Sequence, residues 1–427
     1  MPLKVLIVGA GIAGPALASL LQGADPSRNI TVVERFPSLR TAGQQIDLKN
    51  QAVPILKKMG LFEAVAAQCV NETGVQIVDA QNQVIAQFGI SPSGQRRRTL
   101  TSEHEIMRGD MVRVLYEASL KQDAKLKQEL GDNKGALTYD FGNSVEGLSQ
   151  DSEGVDVKFS DGKTGRYDLV VAADGQTSRT RRLAFGEAEN NASFKSLGIH
   201  AAYYSMPRAQ GEGSLAKAYM ALGSRMIVTR NSEQPMTQVL LFTMKDTEKL
   251  GAIYKESLEK QKQAFAENYE DAGWETSRLL NGMDAAKDFY CHEMGQIKMQ
   301  QLHKGRVVLV GDSGYCPTPF TGMGVTGCLT GAYLLAGELS RQGEDVDKAL
   351  QSYNEMMRQP IDECQQMSTR LMGFAFPSSR LGLWSLQTVL WATSKLEPYA
   401  YRGRTQDDTF WSPPDYPELK LKPEAGL

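Results

Sequence analysis

The sequence predicts an α/β fold: a parallel, helix-flanked dinucleotide-binding sheet, interrupted by an inserted β-sheet domain and followed by a C-terminal helix. Three segments carry that expectation. Val5 to Val8 is a short aliphatic, β-branched run, followed by Gly9, Gly11 and Gly14 at G-x-G-x-x-G spacing and by an Ala- and Leu-rich helical pattern from Pro15 to Leu21. Leu169 to Ala172 reads as a buried strand delivering Asp174 and Gly175, and Arg306 to Val310 as another delivering Gly311 and Asp312. Each strand ends at a glycine, where backbone could approach a ligand closely.

The first segment has the context its glycines need. Gly9 permits the tight turn, Gly11 opens the backbone to a pyrophosphate, and Gly14, next to Ala13, lets the helix pack on the strand. The helix N-terminus then faces the phosphates with its partial positive charge. Ile30 to Val33 reads as the second strand, and Glu34 at its end is placed to accept from ribose hydroxyls. The three glycines and the acid argue against reading residues 5–21 as a signal peptide.

The other elements follow in chain order. A helix is expected through Leu56 to Ala67, and residues 75–98 read as a hairpin of a second layer. A helix resumes from Gly109 to Leu120, and Val155 to Phe159 with Asp161-Gly162-Lys163 makes a further hairpin. Short strands dominate from Ser193 to Met244, a charged helix covers Thr247 to Tyr269, and another helix runs from Gly324 to Leu339. Trp384 to Trp391 reads as an amphipathic helix bridging two domains, and the tail from Ser412 as extended or frayed. The expected division is 1–73, 99–187 and 299–370 for the dinucleotide-binding domain, 74–98 and 188–298 for the inserted one, and 371–427 for helix and tail.

Composition narrows the function. The 427 residues carry a formal net charge of −3, which argues against nucleic-acid binding; Arg96 to Arg98 reads as a solvated loop. The five cysteines are dispersed without a C-x-x-C pair, which points to free thiols, a reducing compartment and no metal site. No run of 18 uninterrupted apolar residues occurs, so a cytoplasmic protein without membrane attachment is expected, working as a monomer.

Four stretches together resemble the class A flavoprotein monooxygenases, the p-hydroxybenzoate hydroxylase-like group, and among them the tetracycline-inactivating enzymes and hydroxylases that tailor aromatic natural products. They are the glycine fingerprint with Glu34-Arg35; G-Q-Q-I-D-L with I-M-R-G-D; the Asp174-Gly175 segment; and G-D-S-G-Y-C-P-T-P-F-T-G-M-G, covering roughly residues 3–370. The resemblance implies a Rossmann-like domain of the glutathione reductase type with FAD as the held cofactor. It further implies NADPH or NADH as transient reductant, and insertion of one oxygen of O₂ into a phenolic, enolic or polycyclic small molecule through a flavin C4a-hydroperoxide. A reductase or dehydrogenase of the same fold, or a non-catalytic FAD-binding protein, remains the alternative.

Residue by residue, the resemblance implies that Arg108 reaches the FAD pyrophosphate or ribityl chain, that Asp312 after Gly311 meets a ribityl hydroxyl, and that Asp47 lies beside the flavin. Asp174 would lie near the FAD and the incoming nicotinamide. Gly322 and Gly324 would let a helix N-terminus approach the flavin ring. Their G-x-G-x-x-G spelling is not a second nucleotide fold, because Pro319, not a strand, precedes it. Where the family carries Ala-Ala-His after Gly-Asp, this chain has Ser313-Gly314-Tyr315. Strand alternation places His200, Ala202 and Tyr204 on one face and Ile199, Ala201 and Tyr203 on the other. The resemblance implies His200 and Arg225 as candidate substrate contacts, since both fall where the tetracycline-inactivating relatives have polar substrate or flavin contacts. No catalytic side chain is expected, since the flavin carries the chemistry.

Overall fold

A computed structural model describes residues 2–41, 43–89, 104–232, 234–343, 345–367, 373–400 and 411–421. Arg96 to Arg98, and with them the end of the hairpin expected over 75–98, lie outside the described residues.

The N-terminal aliphatic run forms the strand Lys4–Val8 at the heart of a six-stranded sheet. Asn29–Glu34 and Leu169–Ala172 flank it in parallel, with Leu137–Phe141 and Val307–Leu309 outside them and the short antiparallel edge His303–Lys304 beyond. These strands read as continuous apolar runs because both faces are covered. Val5, Ile7 and Val171 point into a core shared with the helices Ala13–Ala24, Arg108–Leu130 and Gly324–Arg341. Leu6, Val8 and Val170 point the other way, into a three-stranded antiparallel sheet of Val145–Gln150, Val155–Phe159 and Thr164–Tyr167. Each buried aliphatic side chain stabilises this sandwich by roughly 1.5 to 3 kcal/mol.

The second large sheet has seven strands in the order Tyr290–Ile297, Phe194–Pro207, Met236–Thr243, Arg225–Arg230, Leu215–Ala221, Gly74–Val78 and Val84–Gly89. Ala202, Tyr204, Ile227 and Leu241 on one face pack under the helices Thr247–Ala252, Leu258–Tyr269 and Thr276–Ala285. On the other face lie Ile199, Ala201, Tyr203 and Phe242. The helix Arg380–Ala400 lies on this sheet too, its Leu383, Leu386 and Leu390 against Ile77, Ala86 and Phe88.

Several expectations need correction. The helix expected through Leu56 to Ala67 is two, Ala52–Lys58 and Phe62–Ala66, because Gly60 between them takes a left-handed φ of 68°. The charged helix from Thr247 likewise breaks at Ile253–Lys255 and restarts where the Ser257 hydroxyl caps the Lys260 N–H. The tail is not frayed over 411–421: Tyr416 and Leu419 are buried in the main core, and Tyr416 fills the space a side chain at Gly337 would need. The chain from Leu137 to Phe141, unassigned in the sequence, supplies a strand of the main sheet.

Candidate functional site

The glycine loop is dictated by close contacts. Gly9 holds φ at 111°, and a Cβ there would lie 2.5 Å from the Ala173 carbonyl oxygen, just before Asp174. At Gly14 a Cβ would lie 2.0 Å from the Gly9 carbonyl oxygen, so only glycine lets the helix begin this close to the strand. Gly11 differs: its Cβ would meet only Arg108 Nη2, at 3.7 Å. It faces a cleft of about 340 Å³ whose walls include Gly9, Gly11, Glu34, Arg35, Arg108 and Asp174. Ala13 begins the helix above the loop, whose N-terminus carries no side-chain cap.

The carboxylates of this cleft differ in what they have left to offer. Glu34 ends its strand and accepts from the Ala10 N–H at 2.9 Å and the Phe36 N–H at 3.1 Å, which fixes it at the cleft and leaves lone pairs for ligand hydroxyls. Asp174 accepts from the Thr180 N–H at 3.0 Å, the Thr180 hydroxyl at 2.9 Å and the Ser178 hydroxyl. Its side chain orders the turn into the helix Arg179–Phe185, and its backbone closes the cleft behind Gly9. With Arg40 and Arg179 also in the wall, four guanidinium groups face two carboxylates, a balance suited to a dianion.

Arg108 is aimed by its neighbours. It is the first residue of its helix, and its N–H donates to the Gln44 carbonyl at 3.0 Å. A Cβ on Gly109 would lie 1.7 Å from the Thr41 carbonyl oxygen, so the loop before Gln44 presses against the helix start. That loop leads into Gln45–Asp47, which pairs antiparallel with Glu105–Met107 in a two-stranded ladder.

At the other end, Gly311 takes φ of 71°, and a Cβ on it would stand 3.6 Å from the Ala13 Cβ, bringing the Asp312 segment against the start of the glycine-loop helix. Asp312 opens the short helix Asp312–Tyr315, which the sequence reading did not assign. Burial pushes its carboxyl upward, with Arg108 pulling it back. Gly322, at φ of 65°, is wedged against Asp47 and Lys49, which pair at 3.0 Å. Gly324 begins the long helix with no side-chain cap and nothing within 4 Å of its Cβ direction. Among the described residues, then, one side of the molecule gathers an acid, a glycine cradle with arginines, and an open helix N-terminus; these fit adenosine ribose, pyrophosphate and flavin taken in that order.

His200 and Arg225, the candidate substrate contacts, are not brought together with these residues. His200 is buried, with its Nδ1 on the Tyr254 hydroxyl, and burial lowers its pKa below the ordinary imidazole value. Arg225 donates to the Leu222 carbonyl at 2.9 Å and the Asn268 carbonyl at 2.6 Å and pairs with Asp271. Both serve the helical layer. The opposite face meets the cofactor half: Phe242 packs on Phe320 with centroids 5.5 Å apart, and Arg40 stands 5.7 Å above the Tyr290 ring. There Tyr203 stacks on Tyr290 at 4.8 Å and on His292 at 5.6 Å. The Tyr290 hydroxyl is pushed up to about 12 by burial, opposed by Arg108 and Arg40. Sequence reasoning missed Arg40, Tyr290 and Gly109; of these only Gly109, inside I-M-R-G-D, carried a usable signal.

Comparisons with known proteins agree with this geometry. Over 426 residues the chain is 37% identical to the FAD-dependent monooxygenase asL6 of Sarocladium schorii, covering 99% of this chain and 100% of the relative. It is 33% identical to the flavin-dependent monooxygenase eupH of a Phoma species, covering 99% of both. The crystal structure of tetracycline destructase Tet(51) superposes with a TM-score of 0.72 at 28% identity, covering 93% of this chain and 98% of that one. Residues 2–368 match the FAD binding domain family, and the chain belongs to that family as an FAD-dependent monooxygenase.

Proposed function

We propose that this monooxygenase draws reducing equivalents from NADPH or NADH and inserts one oxygen atom of O₂ into an electron-rich phenol or enol of a planar, polycyclic small molecule. The observation that carries the substrate class is the stacked wall of Tyr203, Tyr290 and His292, continued by Phe242, Phe320 and Phe376, on the sheet face that meets the cofactor half. Flat, offset rings of this kind bind another flat ring system by stacking. Arg40 at its edge supplies a cation to a phenolate or enolate. The tetracycline destructases, structurally similar at 28% identity, are named for a polycyclic substrate, which supports the same class.

FAD, when bound, accepts hydride from the nicotinamide and activates O₂. The chain itself binds and orients. Glu34 would hold the ribose, Arg108 and the Gly11 backbone would hold the pyrophosphate, and Asp312 and Asp47 would flank the ribityl chain and ring. The N-terminus of the Gly324 helix, which has no side-chain cap, would offer its N–H groups to negative charge at the ring edge. The aromatic wall holds the substrate and keeps water out. In this reading residues 1–73, 99–187 and 299–370 form the cofactor half, 74–98 and 188–298 the substrate half, and 371–427 the closing segment, all within one chain that works as a monomer. A cytoplasmic location fits the five free cysteines. Among the described residues no helix is long and apolar enough to cross a membrane.

The test is turnover of the FAD-loaded protein with NADPH or NADH against a panel of planar phenols and enols under ¹⁸O₂. The reading expects one labelled oxygen in the product. Nicotinamide oxidation that yields only hydrogen peroxide with every phenol and enol, or reduced organic product without label, would overturn it in favour of a reductase of the same fold.

A further inference from the structure

Where the two halves meet, the buried side chains of Gln45, Glu72, Glu105 and Ser232 gather around a half-buried Arg230. Arg230, at the end of a substrate-sheet strand, donates to both oxygens of Glu72 at 2.8 and 2.6 Å and also pairs with Glu105. Gln45 donates through its amide to Glu105, and to Glu72 at 3.2 Å. Ser232 donates to the Gln45 side-chain carbonyl at 3.0 Å. Beside them the Gln45 N–H donates to the Gln238 side chain at 2.9 Å, and Gln238 reaches the Met107 sulfur. Glu72 and Glu105 are 6% and 3% exposed, so this is no screened surface pair.

The placement matters because of what the ladder carries. Gln45 faces Met107, and Asp47 faces Glu105, in the ladder register; Arg108 follows Met107 directly. Glu105 therefore sits between Asp47, wedged against Gly322, and Arg108, in the wall of the cofactor cleft. We propose that Arg230, Glu72, Glu105 and Gln45 are positioning residues that fix the ladder, and with it Asp47 and Arg108, against the substrate sheet, so that flavin and substrate wall keep one relative placement. The proposal rests on reading Asp47 and Arg108 as cofactor-side groups.

The cluster also has a signature that plain packing lacks. Two buried carboxylates share one guanidinium, and Glu105 is raised from 4.5 to about 7: burial is the largest cause, Arg230 opposes it, and Glu72 and Asp47 add to it. Arg230, Glu72, Asp47 and the neutral Gln45 are among the groups that act on it. With the folded value above the unfolded one, the folded protein keeps a proton that the unfolded chain releases. The contribution to stability is then complete below about pH 4.5 and is lost as the pH rises through 7.

The experiment follows melting temperature and FAD dissociation constant of the full-length, FAD-loaded chain from pH 5 to pH 8, for the parent, Glu105→Gln and Arg230→Lys. Subtracting the Glu105→Gln profile removes the titrating groups that are not coupled to Glu105, so the parent should lose stability and FAD affinity towards pH 8 relative to this isosteric variant. Arg230→Lys keeps the charge but not the fork; it should weaken FAD binding roughly fivefold or more and raise hydrogen peroxide released per nicotinamide oxidised. Superposable parent and Glu105→Gln profiles, or an Arg230→Lys protein that binds FAD as tightly as the parent, would overturn the proposal. Should Arg230→Lys fail to fold, the Glu105→Gln profile decides. Arg108→Met separates the underlying reading: unchanged FAD affinity there removes Arg108 from the cofactor site, and the melting profiles still test the network.

Discussion

The cofactor cleft and the substrate sheet are built by opposite means. In the cleft, backbone does the positioning: Gly9 and Gly14 sit where a Cβ would strike a carbonyl oxygen at 2.5 and 2.0 Å, and Gly11 sits where it would enter empty cleft. On the sheet, side chains alternate between two buried faces, one closed by three helices and one turned to the cofactor half. Backbone constraints of the first kind leave glycines at fixed spacing. The second kind leaves only a parity, and parity does not say which face a helix will cover.

The sharpest way to break this comparison is inside the glycine loop. Gly14→Val places a side chain against the immovable Gly9 carbonyl, and about 4 kcal/mol or more of stability should go with it, seen as a collapsed melting temperature and a colourless protein. Gly11→Val has room in the folded chain, since only Arg108 Nη2 lies near, at 3.7 Å. It should melt like the FAD-free parent and yet bind FAD poorly. If both variants behave alike, the distinction between a packing glycine and a ligand-facing one is wrong.

Glu34→Ala comes next in size. Loss of a carboxylate that meets the ribose should weaken FAD binding by roughly 1.5 to 3 kcal/mol, the range for a hydrogen bond to a charged group. The structure adds a second consequence, because the Ala10 and Phe36 N–H groups also lose their acceptor. A stability loss of about 1 kcal/mol should accompany the weaker binding. Isothermal titration with FAD and thermal melting of the FAD-free protein separate the two; unchanged affinity with lowered stability would make Glu34 purely a loop fastener.

These cases show why legibility was uneven. Strand ends at Glu34, Ala172 and Leu309 followed from short aliphatic runs, and they place Glu34, Asp174 and Asp312 without further information. Arg108 was legible only through the I-M-R-G-D spelling, while the reason for its position, the Thr41 carbonyl pressed against Gly109, is a contact across the fold. Tyr203 and His200 occupy the same strand at opposite parity, and nothing local marks Tyr203 as the one facing Phe320 and Arg40 through its neighbours. The Gly60 break was missed because a helical pattern of apolar residues continues through it.

On the sheet itself the comparison predicts a clean split between stability and substrate recognition. Arg225→Met strands the buried Asn268 carbonyl and the half-buried Leu222 carbonyl, and should cost roughly 1 to 3 kcal/mol of stability. It should leave KM for the organic substrate and the FAD affinity where they were, because the guanidinium belongs to the helical layer. A raised KM at unchanged melting temperature would return Arg225 to the substrate site.

The smallest expected effect is the most diagnostic. Tyr203 is 4% exposed, and its hydroxyl has no hydrogen-bond partner among the described residues, which is a costly state for a buried polar group. Burial also holds the phenol well above its ordinary pKa, so it stays a neutral donor across the working pH range. In the ligand-free protein Tyr203→Phe removes an unsatisfied group and keeps the ring that stacks on Tyr290 and His292, so stability should hold or rise by up to about 1 kcal/mol. If the hydroxyl waits for a substrate carbonyl or enolate, the same change should raise KM several-fold, about 1 kcal/mol of lost binding, while FAD affinity stays constant. The opposite signs are what distinguish a recognition residue from a packing one. A variant that is both less stable and kinetically unchanged would show that the Tyr203 hydroxyl is satisfied within the folded chain, and that the substrate meets this wall only through the faces of its rings.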